Sequence, residues 1–129
     1  MPPIDELTRF EPVHLARLER QGIFTTGLLL ERSDTITRRQ TLADQVAGST
    51  NDVLMWRDEA LLLNLASFGP PQHRMLIQAR IGGLRAILDM PLDEFRERVR
   101  SGATELGEEP PPDLTIDGWW DQARTLEEE

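Results

Sequence analysis

The chain is 129 residues long, 39% hydrophobic, free of cysteine and lysine, and carries a formal net charge of −9. A chain of this size forms one small domain or two halves sharing a core, and without cysteine it has no disulfide, no thiolate metal ligand and no thiol nucleophile. The acidic balance opposes binding to a phosphate backbone unless the arginines cluster.

The opening Met1-Pro2-Pro3-Ile4-Asp5-Glu6 lacks the basic-then-apolar pattern of a signal peptide. No apolar run is long enough to cross a bilayer, and a cytoplasmic location is expected. Apolar residues recur at spacings of three and four, with no alternating β-branched run, which predicts an all-α chain. Pro12 suits the first position of a helix that carries Val13, Leu15, Ala16 and Leu18 and stops at Gly22. Thr25 or Thr26 caps a short helix through Leu28-Leu29-Leu30. Thr37 is expected to cap a third helix, with Leu42 and Val46 inward and Gly48 at its end. Ser49 or Thr50 is expected to cap a helix centred on Trp56, and Ser49 with Asp52 three residues on resembles a capping box.

The pattern restarts at Leu65. A helix after Gly69-Pro70-Pro71 carries Met75, Leu76 and Ala79, and a short one runs from Ile81 to Leu88. Pro91 opens a third, with Leu92, Phe95 and Val99 inward and Gly102 as its stop. Gly107-Glu108-Glu109-Pro110-Pro111-Pro112 reads as a stiff extended connector. Asp113 or Thr115 is expected to cap the last helix, and Glu127-Glu128-Glu129 reads as a frayed tail.

The restart is a repeat. At an offset of 63, Val53/Ile116, Trp56/Trp119, Asp58/Asp121, Ala60/Ala123 and Leu63/Leu126 correspond. Earlier in each half the offset is 58, pairing Leu7/Leu65, Phe10/Phe68, Pro12/Pro70, Leu18/Leu76, Ile23/Ile81 and Leu29/Ile87. Two copies are too few for a solenoid. The expected architecture is two pseudo-symmetric four-helix halves, 1–64 and 65–129, packed as one small helical domain.

These residues resemble the bacterial family catalogued as domain of unknown function 4332, whose members carry two helix-hairpin-helix-like halves. The matching signature reads Phe10-Glu11-Pro12, Gly22-Ile23, Leu28-Leu29 and Trp56, then Phe68-Gly69-Pro70, Ile81, Ile87-Leu88, Pro91-Leu92 and Trp119. It covers Leu7 to Leu126 and implies a fold without a settled activity. A nucleic-acid-binding hairpin of this class reads apolar-x-Gly-apolar-Gly, its glycines letting backbone N–H groups approach a phosphate. Here Leu7-Thr8-Arg9-Phe10-Glu11 has Arg9 and Glu11 in the glycine places, and Leu65-Ala66-Ser67-Phe68-Gly69 keeps Gly69 alone. The resemblance also places His14 where relatives have an aromatic, which implies a packing role.

Trp56 and Trp119 lie on apolar helix faces and are expected in the core. Trp120 has Arg57 as its counterpart and lies beside the apolar stripe, which makes it the candidate protein-interaction residue. His14 and His73 are too far apart in sequence for a metal-ligand spacing, and no metal or cofactor is expected. Asp58 and Asp121 follow the tryptophans by two and are expected to be solvated helix charges. Arg38 and Arg39, and Arg96, Arg98 and Arg100, form two local basic groups that could make a phosphate-binding stripe; the favoured expectation is that Asp44, Asp93, Glu94 and Glu97 neutralise them. No nucleotide-binding or nucleophile-elbow motif is present. The expected function is a non-enzymatic protein-interaction module with a protein partner. The alternative is a DNA- or RNA-binding protein using Gly69, Pro70 and Arg74.

Overall fold

The computed structural model describes the backbone of residues 2–128 and the side chains of residues 2–126. Among the described residues there is no β-strand, and the all-α class is as the periodicity predicts. The chain divides into two compact units, Met1–Asn64 and Leu65–Glu129.

The first unit holds a short 3-10 turn at Ile4–Glu6, then α1 (Pro12–Arg20), α2 (Thr26–Glu31), α3 (Ile36–Gln45) and α4 (Thr50–Leu63). The second holds α5 (Pro70–Gln78), α6 (Leu84–Leu88), α7 (Leu92–Glu105) and α8 (Asp113–Glu128). In the first unit α2 and α3 pack on α4; in the second α6 and α7 pack on α8, and α5 packs on α7.

The last helix of each unit forms because its start is fixed and one face is apolar. For α4 the capping box is closed in both directions: the Asp52 N–H donates to Ser49 Oγ and the Ser49 N–H donates to Asp52 Oδ2, each at 3.0 Å. Val53, Trp56, Ala60 and Leu63 then fall on one face and are buried. In α8, Ile116, Trp119 and Ala123 do the same, while Leu126 is half-buried. Trp56 and Trp119 are each 1% exposed. An indole that buries ~150–250 Å² at ~25 cal/mol per Å² contributes roughly 4–6 kcal/mol before ordering entropy is subtracted.

The structure moves several sequence-expected boundaries. Thr35, not Thr37, caps α3: its extended backbone lets Oγ1 accept the Arg38 N–H at 3.1 Å. Ala47, not Gly48, is the left-handed residue after α3, at φ 53°, and the Gly48 N–H then reaches back to the Ala43 carbonyl. The short helix begins at Leu84 rather than Ile81, after Gly83. Gly102 does not stop α7. It lies buried inside the helix, where an added Cβ would run into the Met75 carbonyl oxygen of α5, so its missing side chain is what admits the close approach. The stop is Gly107 at φ 71°. Neither Asp113 nor Thr115 precedes α8; both lie within its first turn, and the Pro112 carbonyl accepts the Thr115 and Ile116 N–H groups. Glu127 and Glu128 continue α8 where a frayed tail is expected, and Glu129 lies outside the described residues. On α1, Leu18 is buried as expected, but Val13 is 42% exposed.

Candidate functional site

The loop before α1 is shaped by a carboxylate from α4. Glu59, fully buried, accepts the Thr8 N–H at 2.8 Å, the Thr8 hydroxyl at 2.6 Å and the Arg9 N–H at 3.2 Å. A buried carboxylate is tolerable only when such donors surround it. The Arg9 guanidinium meets Asp58 at 3.3 Å, so Asp58 is paired rather than solvated as expected, while Asp121 is exposed. Phe10 stands edge-on to Trp56 at 6.3 Å, and His14 covers the same ring at 5.1 Å, a packing role.

The loop before α5 is held from α8. Gln122 Oε1 accepts the Ala66 N–H at 3.0 Å, and the Trp119 indole N–H donates to the Ala66 carbonyl at 2.8 Å. Phe68 lies edge-on to Trp119 at 5.4 Å, and His73 is buried beside Phe68. The Gly69 N–H donates to Gln72 Oε1 at 2.9 Å. Pro70 and Pro71, which have no N–H, follow it at the start of α5. The donors a phosphate would need are therefore few at this helix start. Arg74, 58% exposed, is 3.8 Å from Glu108.

Neither Glu59 nor Gln122 stands out among its neighbours in the sequence. The signal existed: the offset of 63 pairs them, and the offset of 58 pairs Thr8 with Ala66.

Trp120 is half-buried. Its indole N–H donates to the Met90 carbonyl at 3.1 Å, and the Arg124 guanidinium lies over its ring at 3.2 Å from the centroid. Arg124 also donates to the Trp120 carbonyl at 3.3 Å, which fixes the cation–π pair in one geometry. The corresponding Arg57 donates to the Leu30 carbonyl at 2.9 Å and to Ser33 Oγ at 3.1 Å. Both side chains thus tether the end of the short second helix of their unit. Burial, followed by the nearby Arg39 charge, pulls the Arg57 pKa down, against the opposite pull of Asp34.

The arginine groups are neutralised in the second unit, though mostly not by the expected partners. Arg96 forms a forked pair with Asp117 at 2.6 and 2.7 Å, Arg100 pairs with Asp113, and Arg98 pairs with Glu94. The hydrogen bond from Arg96 is the main reason the Asp117 carboxyl sits below the usual range and the Arg96 guanidinium above its own. Arg38 pairs with Asp34, not Asp44. Arg39 donates to the Ser33 carbonyl. A cleft of about 620 Å³ lies where α7 meets the end of α5, with Arg80, Glu97 and Ser101 in its lining. It offers ionic and hydrogen-bonding contacts, and neither histidine lines it.

In each unit a loop is tied to the last helix beside a buried tryptophan. The model of the family described as domain of unknown function (DUF4332) matches residues 9–126. The chain belongs to this family. No curated protein and no solved structure matches it. The family match begins at Arg9 in the clasped loop and ends at Leu126, so the DUF4332 region includes both tryptophan helices and the Trp120–Arg124 pair. Among the described residues no helix is long and apolar enough to cross a membrane.

Proposed function

We propose that the chain is a non-catalytic, cytoplasmic protein-interaction module of adaptor type, built on two degenerate helix-hairpin-helix-like halves. The observation that carries this is the Trp120–Arg124 pair: a half-buried indole under a guanidinium, fixed by hydrogen bonds to Met90 and to the helix backbone. Tryptophan and arginine dominate the energetics of protein interfaces, and a pair already held in one geometry loses little further entropy when a partner covers it. Exposed apolar side chains elsewhere, Ile36 at 69% and Phe24 at 56%, add surface of the kind partners cover.

The nucleic-acid alternative is supported less. The Thr8, Arg9, Ala66 and Gly69 N–H groups are bonded to the chain's own side chains. What favours it is Arg74, exposed and loosely paired beside Gly69 and Pro70.

The test is affinity capture from the native host with and without nuclease, comparing wild type with Trp120→Ala and Arg124→Ala after circular dichroism has shown both folded. A protein retained by wild type through nuclease treatment and lost with either variant is the expected result. Capture indifferent to both substitutions removes the proposed surface. In parallel, submicromolar binding of a labelled duplex at about 150 mM salt, abolished by Gly69→Glu or Arg74→Glu, would put nucleic acid first.

A further inference from the structure

The arginines of the two units are held by different chemistry. In the second unit, Arg96, Arg98 and Arg100 are answered by the carboxylates of Asp117, Glu94 and Asp113. In the first, Arg9 and Arg38 meet the carboxylates of Asp58 and Asp34, and neutral acceptors also hold the guanidiniums around the α2–α3 turn. Arg32 donates to the Gln21 carbonyl at 3.3 Å and to Gln45 Oε1 at 3.2 Å, and Arg38 donates to the Glu31 carbonyl at 3.1 Å. Across the same α2–α3 turn, Arg39 and Arg57 donate to the Ser33 and Leu30 carbonyls. A carbonyl orients a guanidinium without cancelling its charge. Asp34 lies 3.2 Å from Arg38, a pair about as exposed as Arg98–Glu94 in the second unit, and half-exposed pairs of this kind contribute little in water.

Arg32 and Arg38 border a hollow of about 130 Å³ with Thr41, Leu42 and Gln45. That room suits one tetrahedral group. Each guanidinium carries five N–H groups, more than these bonds use; forked donors match the terminal oxygens of a phosphoryl group, and a monoester brings nearly two negative charges and three such oxygens. A diester offers a single charge and would bring a long polyanion against a chain of net charge −9.

We infer that the hollow between Arg32 and Arg38 is a binding site for a phosphate monoester. It lies in the other unit from Trp120, so it stands or falls apart from the interaction surface proposed above.

The test uses the full chain, labelled with ¹⁵N and followed by NMR. It is titrated with inorganic phosphate, with a capped tripeptide carrying phosphoserine between alanines, with its unphosphorylated twin, and with a short DNA duplex. The expected result is that phosphate and the phosphopeptide move the Arg32 and Arg38 Nε–H signals and the Thr41 and Gln45 amides together, while Arg98 stays still. Equal affinities would mark a free phosphate ligand, and a tighter phosphopeptide a phosphorylated protein; both support the site. Arg38→Gln should weaken binding at least about tenfold, the loss expected for one charge-assisted hydrogen bond, with Arg98→Gln unchanged. Arg32→Gln also removes the ties to Gln21 and Gln45, so the exposed Arg38 carries the comparison. The inference is overturned by binding indifferent to Arg38→Gln, by no shift at these four residues, by a twin that binds as well as the phosphopeptide, or by a duplex that binds more tightly than either monoester.

Discussion

The loops before α1 and α5 are each fastened to the last helix of their own unit, one by an acid and the other by an amide. Glu59 gathers three donors from Thr8 and Arg9 inside the first unit; Gln122 takes the Ala66 N–H, and Trp119 secures the carbonyl of the same residue. What both loops require is an acceptor at a fixed place. The carboxylate meets that need more strongly, because it accepts several donors at once, but burying it is tolerable only with those donors in place. In the second unit the Gln122 amide oxygen is the acceptor, and the Trp119 indole N–H adds a donor for the carbonyl of the same loop residue.

The largest expected effect tests whether the two tryptophans are equivalent despite this. Trp56→Ala and Trp119→Ala should each cost about 3–5 kcal/mol, read from urea unfolding. Since a domain of this size has ~5–15 kcal/mol in hand, soluble yield should fall as well. A large cost at one position and little at the other would show that one ring alone anchors its unit.

Next comes the clasp. Glu59→Gln keeps the shape but turns an NH₂ toward groups that are themselves donors, and should cost about 2–3 kcal/mol. Gln122→Ala removes one neutral bond at a more open place and should cost about 1 kcal/mol. Equal losses in denaturant midpoints would mean that the charge on Glu59 contributes nothing beyond an ordinary acceptor.

The smallest effect is in acid. The Ser49 backbone N–H, together with its hydroxyl, holds the Asp52 carboxyl below the usual range despite some desolvation. A depressed folded-state pKa contributes stability that is complete above the unfolded value, near 3.9, and is lost as the pH falls through the folded value. Wild type should therefore lose stability below about pH 4 more steeply than Asp52→Asn, which keeps an acceptor for the Ser49 N–H but has no charge to lose. Melting temperatures measured across that range check it, and parallel curves for the two proteins would contradict it. Asp117→Asn should flatten the same limb in the second unit, since Asp117 is shifted in the same direction by Arg96.

What was legible in the sequence was local or periodic. Helix class, the Ser49–Asp52 box, Pro12 and Pro70 at helix starts and the two core tryptophans depend on neighbours within a turn or two, or on a three-four spacing that burial enforces. Thr35 was missed because Thr35 and Thr37 offer the same hydroxyl, and the exposed Ile36 gave no apolar mark of where the helix begins. Gly102 was misread because a glycine that ends a helix and one that lets another helix approach look alike until α5 is in place. The Glu59 clasp was hidden because a glutamate on a helix ordinarily faces water. Its partners lie 50 and 51 residues away, beyond the reach of any local pattern. Trp120 was placed beside the apolar stripe, as its half-burial requires, but its tie to Met90 and its cover by Arg124 depend on how α6 meets α8.

That same clasp has a consequence for synthesis. Thr8 leaves the ribosome well before Glu59, and 51 further residues must be made after the donor before the acceptor is complete. Until α4 emerges, the loop before α1 has only water for its donors, and the face that Trp56 will fill stays open. Local helices form on the nanosecond-to-microsecond scale, whereas elongation proceeds at ~5–20 residues per second. The first unit therefore waits seconds for its closing residue, a nascent chain whose short helices are marginal on their own and whose apolar seam is still open to water.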